Sequence, residues 1–383
     1  MKRFYFLILL GLLIFLPARS QEEGNKISAG GYVTSMQSAM FDSLSGPVTF
    51  DNLIHNRLNI NAYIGNKITF NTELRNRLFT GDMSRAGNAY SEIIGSDQGL
   101  ADMSWNLIRE NSFFFNTTID RLWMDVRLDR FEARIGRQRI NWGQALVWNP
   151  NDIFNAYSFF DFDYIERPGS DAVRIQYFPS SSSAAEIAAK IDSEHDVTAA
   201  GLYRFNKWGF DLQFLAGYAN SRDLVAGTGL SGAIGSFSLR GEGTLFYPAG
   251  SSGSDEGTLL LTAGTDRIFE NNSMLQFQFM YCNNPLSITD FNSFYSGNMS
   301  AKDLAFSEFT AFGSFTWAAN PLLNLTLSAM WFPDLDGYFA GPSIDYSLAE
   351  NIDFSLIWQH FDSSMNGSNT RINLAYLRLK YSF

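Results

Sequence analysis

Three histidines and one cysteine bound any catalytic reading of this chain. His55, His195 and His360 fall in separate regions, with no Ser/His/Asp or metal-ligand pattern around them. Cys282 stands alone, so no disulfide, thiolate cluster or CxxC redox pair can form within one chain. No catalytic residue, metal or cofactor is expected. A hydrolase is the enzymatic alternative, because a triad is a matter of geometry and not of spacing. The spacing instead suggests electrostatics. Arg75, Arg77, Arg134 and Arg174 fall on polar faces of alternating segments, and so do Glu73, Asp125, Glu132 and Glu242. Opposite charges on facing walls of an aqueous passage set up a transverse field that orders water and favours polar solutes. The plainer alternative is that such residues neutralise one another.

The densest segment for this chemistry runs from Gly136 to Asp171, GRQRINWGQALVWNPNDIFNAYSFFDFDYIERPGSD. It carries Trp142, Trp148 and a run of Phe and Tyr, together with Asp152, Asp161, Asp163 and Glu166. It is too long for a bare connection, and so many aromatic rings would not sit in water. Residues 139–171 are therefore expected to fold inward or cap the barrel. If they narrow a passage, Asp152, Asp161, Asp163 and Glu166 would oppose arginines on the wall, with Arg75, Arg77, Arg134 and Arg174 clustered there. The GRQ, WG and NP-D elements resemble a porin-like outer-membrane barrel family of the alginate-export and substrate-diffusion type. That resemblance implies a transport fold and leaves the solute open.

Strands must position these residues, because the hydrophobic period is two. Ile68, Phe70, Leu74 and Leu78 alternate with Thr69, Asn71, Glu73, Arg75 and Arg77. Phe210, Leu212 and Phe214 alternate with Asp211 and Gln213, Leu323 to Trp331 with Asn324, Thr326 and Ser328, and Phe354, Leu356 and Trp358 with Asp353 and Ser355. Eighteen strands are predicted, with 16 as the lower bound. They begin near Ile27, Leu53, Ile68, Ser112, Phe131, Ala172, Ala184, Val197, Trp208, Leu224, Ser236, Gly257, Met274, Ala305, Leu322, Gly337, Ile352 and Arg371. Every second connection is short, as at 65–67, 129–130 and 349–351. The others include the long stretches 37–52, 80–111, 139–171, 282–304 and 361–370. Outer-membrane barrels show this asymmetry, with short periplasmic turns and longer outer loops. The fold class expected is an all-β transmembrane antiparallel barrel whose termini are both periplasmic. A barrel this wide holds an aqueous lumen unless it is plugged.

The two ends of the chain agree. Lys2 and Arg3 precede an apolar run from Phe4 to Leu16 and a polar stretch after Ser20, the pattern of a secretory signal peptide over residues 1–20. Residues 21–383 then form a single barrel domain. The last strand alternates Leu377, Leu379, Tyr381 and Phe383 with Arg378, Lys380 and Ser382. Leu379, Tyr381 and Phe383 resemble the signal read by the barrel-assembly machinery. Charged residues make up only 17% of the chain and aromatic residues 15%. A soluble domain carries about 25% charge, and aromatic side chains favour membrane interfaces. Net charge is −11, or −14 without Lys2, Arg3 and Arg19, which argues against nucleic acid as a partner. The expected partners are outer-membrane lipid, the assembly machinery, a small polar solute and, as a possibility, further copies of the chain. The function expected is passive diffusion of small polar solutes across the outer membrane. Polysaccharide export and surface binding are the alternatives.

Overall fold

The structure is a computed structural model that describes residues 26–43, 45–157, 159–160, 166–250, 256–287, 300–365 and 368–383. The predicted signal peptide and Asp161 and Asp163 lie outside the described residues. The chain starts with the long hairpin β1 (Ile27–Phe41) and β2 (Val48–Ile64), followed by β3 (Ile68–Gly81). Two short helices, α1 (Asp82–Arg85) and α2 (Asn88–Gly95), lead to β4 (Ser104–Glu110) and β5 (Phe113–Leu128). After β6 (Phe131–Gln138) and the long connection come β7 (Ser170–Ser180), β8 (Ser183–Ile191), β9 (Val197–Lys207), β10 (Phe210–Ala219) and β11 (Asp223–Ile234). Then follow β12 (Phe237–Pro248), β13 (Thr258–Ile268), β14 (Met274–Cys282), β15 (Phe309–Asn320), β16 (Leu323–Phe332), β17 (Gly337–Ala349), β18 (Ile352–Met365) and β19 (Ser368–Ser382).

Each strand pairs antiparallel with its sequence neighbour, except that β3 pairs with β5. β1 also pairs with β19, from Tyr32 opposite Ser382 to Phe41 opposite Asn373. Eighteen strands thus close on themselves. β4 stands apart from that ring. It covers only Phe113 to Thr118 of β5, above the stretch Leu122–Leu128 that β6 takes. All eighteen ring strands were predicted; β4 and the helices were not.

Period two becomes a wall with two chemistries. Outward side chains such as Phe214, Leu327, Leu356 and Trp358 are exposed, while Gln213, Ser355 and Gln359 between them are buried. A closed ring leaves no sheet edge, so the wall's backbone groups pair along the ladders except at register breaks such as those between β3 and β5 and between β17 and β18. No helix among the described residues is long and apolar enough to cross a membrane.

Several boundaries move. The β1–β2 connection narrows to 42–47, and the β18–β19 ladder continues to Met365 opposite Ser368. Both hairpins carry polar outward residues near their tips, which hid the alternation. Where a strand start was expected near Trp208, the chain turns: Phe210 pairs with Lys207, and Trp208 and Gly209, with φ of 56° and 80°, form a two-residue hairpin loop. Trp208 is therefore a turn residue, not the start of a strand. Both termini of the barrel lie at the end that carries the short turns.

Candidate functional site

Residues 139–157, with Phe159 and Phe160, enter the barrel. Ile140, Trp142, Val147, Trp148, Ile153, Phe154 and Phe160 are all buried, in one cluster with inward side chains of the wall. Those wall residues include Leu215, Val225, Phe246, Leu260, Met280, Phe312, Met330, Phe339 and Phe361, so the apolar bed runs from β10 round to β18. Phe160 packs on Phe339 and Phe361 with ring centroids 5.3 and 4.8 Å apart. Burying one such side chain stabilises by about 1.5–3 kcal/mol. Several together hold the segment in place.

Polar wall residues fix its course. Glu242 on β12 accepts backbone N–H bonds from Gln144, from Ala145 at 2.7 Å and from Asn151 at 3.0 Å. Gln278 on β14 accepts from the Val147 N–H (2.9 Å) and donates to the Trp148 carbonyl (2.9 Å). Gln213 on β10 donates to the Trp142 carbonyl, and the Trp142 indole N–H donates to Glu186 on β8, both at 2.7 Å. A loop lacks a ladder of its own, so its buried backbone groups need side-chain partners. Glycines make the space. A Cβ at Gly229 on β11 would lie 2.6 Å from Gln144 Oε1, and one at Gly227 would collide with Asn151.

A second segment folds in beside it. Tyr90 and Ile94 of α2 pack against Met36, Leu53, Phe79 and Phe114. Arg137 latches it. Its guanidinium donates to Asp97 (2.6 Å), to the Ala101 carbonyl (2.6 Å) and to both oxygens of Asp171 (2.8 and 2.9 Å).

The wall facing these segments is charged. Arg57, fully buried on β2, bonds Glu73 and Asp120 and lies 3.8 Å from Glu166. Glu166 also accepts from the Tyr32 hydroxyl (3.2 Å), and Arg121 donates to the Glu166 and Arg167 carbonyls. Arg57 stands opposite Arg75 and His55 opposite Arg77 in the β2–β3 register. Like charges in facing positions repel, and the carboxylates of Glu73, Asp120 and Glu166 offset this. Arg77 is held by Asn116 (2.7 Å) and the Ile94 carbonyl (3.1 Å). Arg57 and Asp120 are not singled out from sequence. A strand starting near Leu53 would put His55 at its end; β2 starts at Val48, so His55 sits mid-strand and inward with its ring edge on Tyr32.

The four arginines form two groups. Arg134 faces Arg174 across β6 and β7, and both bond Glu132; Arg134 also bonds Asp125 at 3.0 Å and lies over Trp123. Asp125 pairs with Thr69 on β3, six residues from Arg75. That separation is roughly 20 Å along the strand. Asp152 turns away from both groups. It is fully buried inside the loop, with neither carboxylate oxygen hydrogen-bonded to a side chain, and Arg139, Glu242 and Lys190 are its charged neighbours. Burial pushes its carboxyl up to about 7, against the opposing pull of Arg139.

At the seam, Phe383 and Gly31 exchange two backbone hydrogen bonds of 2.9 Å. Leu379 and Tyr381 face outward opposite Ser35 and Val33.

The fold and these features define a closed, eighteen-stranded antiparallel barrel with an occupied lumen. No protein-family model matches the chain, and no curated protein matches it. Solved structures do. OccAB2 of Acinetobacter baumannii superposes with a TM-score of 0.60 at 10% identity, over 93% of this chain and 98% of that one. OccK11 (OpdR) of Pseudomonas aeruginosa gives 0.58 at 9%, over 93% and 96%. The outer membrane protein opdK of Pseudomonas aeruginosa gives 0.58 at 9%, over 93% and 98%. At such identities the likeness is one of fold.

Proposed function

We propose that this chain is an outer-membrane channel for passive diffusion of small polar solutes, with periplasmic termini and a constriction formed by residues 139–157. The observation that carries the reading is the loop's anchorage. A segment bonded to Glu186, Gln213, Glu242 and Gln278 narrows the lumen from within and faces it toward a wall of Arg57, Arg75, Arg77 and Arg121. The fold shared with an outer membrane protein supports the location. Arg75 and Arg77 raise the local potential at that wall, which favours anionic solutes although the whole chain is acidic. Arg134 and Arg174 form a second group, bonded to Asp125 and Glu132.

A filled lumen favours small solutes over a polymer, which sets the alginate-export likeness of the Gly136–Asp171 segment second. No chemistry on the solute is part of this reading; His55 is inward and enclosed, His195 lies in the β8–β9 turn and His360 faces outward beside Tyr338. Phe383, Tyr381 and Leu379 serve recognition by the assembly machinery and then close the seam. Swelling of proteoliposomes in small sugars and small carboxylates tests the reading. It requires swelling that falls steeply with solute size. Impermeability to every small solute would refute it.

A further inference from the structure

The outward face is apolar round most of the ring, and one sector departs from this. Away from the turns, outward side-chain amides of the described strands occur at Gln37, Asn52, Asn56, Asn76, Asn369 and Asn373, all on the adjacent strands β19, β1, β2 and β3. They are organised into ladders. The Asn76 amide donates to Asn56 Oδ1 (3.2 Å) and the Thr117 hydroxyl donates to Asn76 Oδ1 (2.9 Å). Nearer the long-loop end, Gln37 donates to Asn52 Oδ1 (3.2 Å) and Asn52 donates to Thr80 (3.3 Å).

These groups are not at a watery rim. Asn56 lies between outward Ile54 and Leu58, Asn76 between Leu74 and Leu78, and Thr117 between Phe115 and Ile119. In lipid, an amide with unused donors and acceptors is costly. β1 also carries small outward side chains, with Ala29, Val33, Ser35 and Ala39, whereas Phe277, Phe315, Trp317 and Trp331 project elsewhere on the ring.

We propose that the outward face of β19, β1, β2, β3 and β5 is the contact surface for a second copy of this chain. The ladders carry no charge, and each amide both donates and accepts. Such a surface complements itself across a two-fold axis, as an isologous contact requires. Area agrees: five strands about 4.8 Å apart over a band about 25 Å tall present roughly 600 Å² per copy, at the low end for specific association. Interhelical amide bonds in membranes are individually modest, so association rests on the sum of the ladders and the small outward side chains of β1.

The test uses the full chain in lipid nanodiscs. The native mass should be that of two barrels. Gln37→Cys should form a cross-linked pair with a short bis-maleimide, and Leu327→Cys on β16 should not; Cys282 is fully buried and does not compete. Asn56→Leu combined with Asn76→Leu makes the wall more lipid-compatible, so the barrel should still fold, and association should weaken about tenfold or more. Single-barrel mass for the native chain, equal cross-linking at the two positions, or undiminished pairing of the double variant would each overturn the proposal.

Discussion

Glu242 and Asp152 show how single carboxylates control the loop in opposite ways. Glu242 receives three backbone N–H groups from one segment, and removing an acceptor leaves buried donors without partners. Glu242→Ala should loosen residues 144–151 while the barrel remains heat-modifiable, and proteolysis from the long-loop side should speed up. Unchanged proteolysis would show that apolar packing alone holds the loop. Asp152 introduces a pH dependence. Its docked-state pKa is raised to about 7 from an ordinary carboxylate value near 3.8. The docked loop therefore holds more protons than an undocked one between these values, so docking is strongest below about pH 4 and weakens as pH rises to about 7. Above that it levels off. Loop protection measured by hydrogen exchange should follow this course, and Asp152→Asn should flatten it. Protection that rises from pH 4 to 7 would contradict the assignment. Neither role was legible in the sequence. Glu242 read as one inward charge among many, and Asp152 read as facing arginines that lie elsewhere, because which wall a loop residue meets depends on the path of the whole loop.

The strands were legible for a specific reason. Water, lipid and the single-sheet wall impose period two on every ring strand, so Phe210 to Phe214 and Phe354 to Trp358 announced their faces. β4, α1 and α2 sit outside that two-solvent rule and gave no periodic signal. The inward apolar bed was also hidden. Val225, Leu260, Phe312 and Phe339 lie on the luminal side, where alternation alone predicts polar residues, and they make sense only once Trp148 and Phe160 are seated on them. At the wall, Leu325→Arg should cost about 2–4 kcal/mol of barrel stability, read from urea unfolding in lipid; a neutral substitution would place Leu325 off the membrane face. At the bed, Gly229→Val on β11 should displace Gln144 and raise loop mobility without altering the ring, as hydrogen exchange on the two segments would show.

At the scale of the molecule, ring closure and loop insertion are separable, because β1 and β19 close the wall without help from residues 139–157. Removing Phe383 takes away two seam hydrogen bonds at Gly31 and one end of the outward aromatic pattern. The truncated chain should be exported normally and assemble slowly, with less heat-modifiable barrel at early times; unchanged assembly kinetics would remove the terminal residue from that role. Sequence established the ring, its strand number and the unusual segment, while the lumen's contents required three dimensions. The proposed constriction is built from residues 139–157. Single-channel conductance in planar bilayers, compared between the native chain and a variant lacking residues 148–166, tests it most directly. The account predicts a clear rise in conductance on deletion, with weaker solute discrimination. Equal conductance in the two proteins, or none in either, would contradict it.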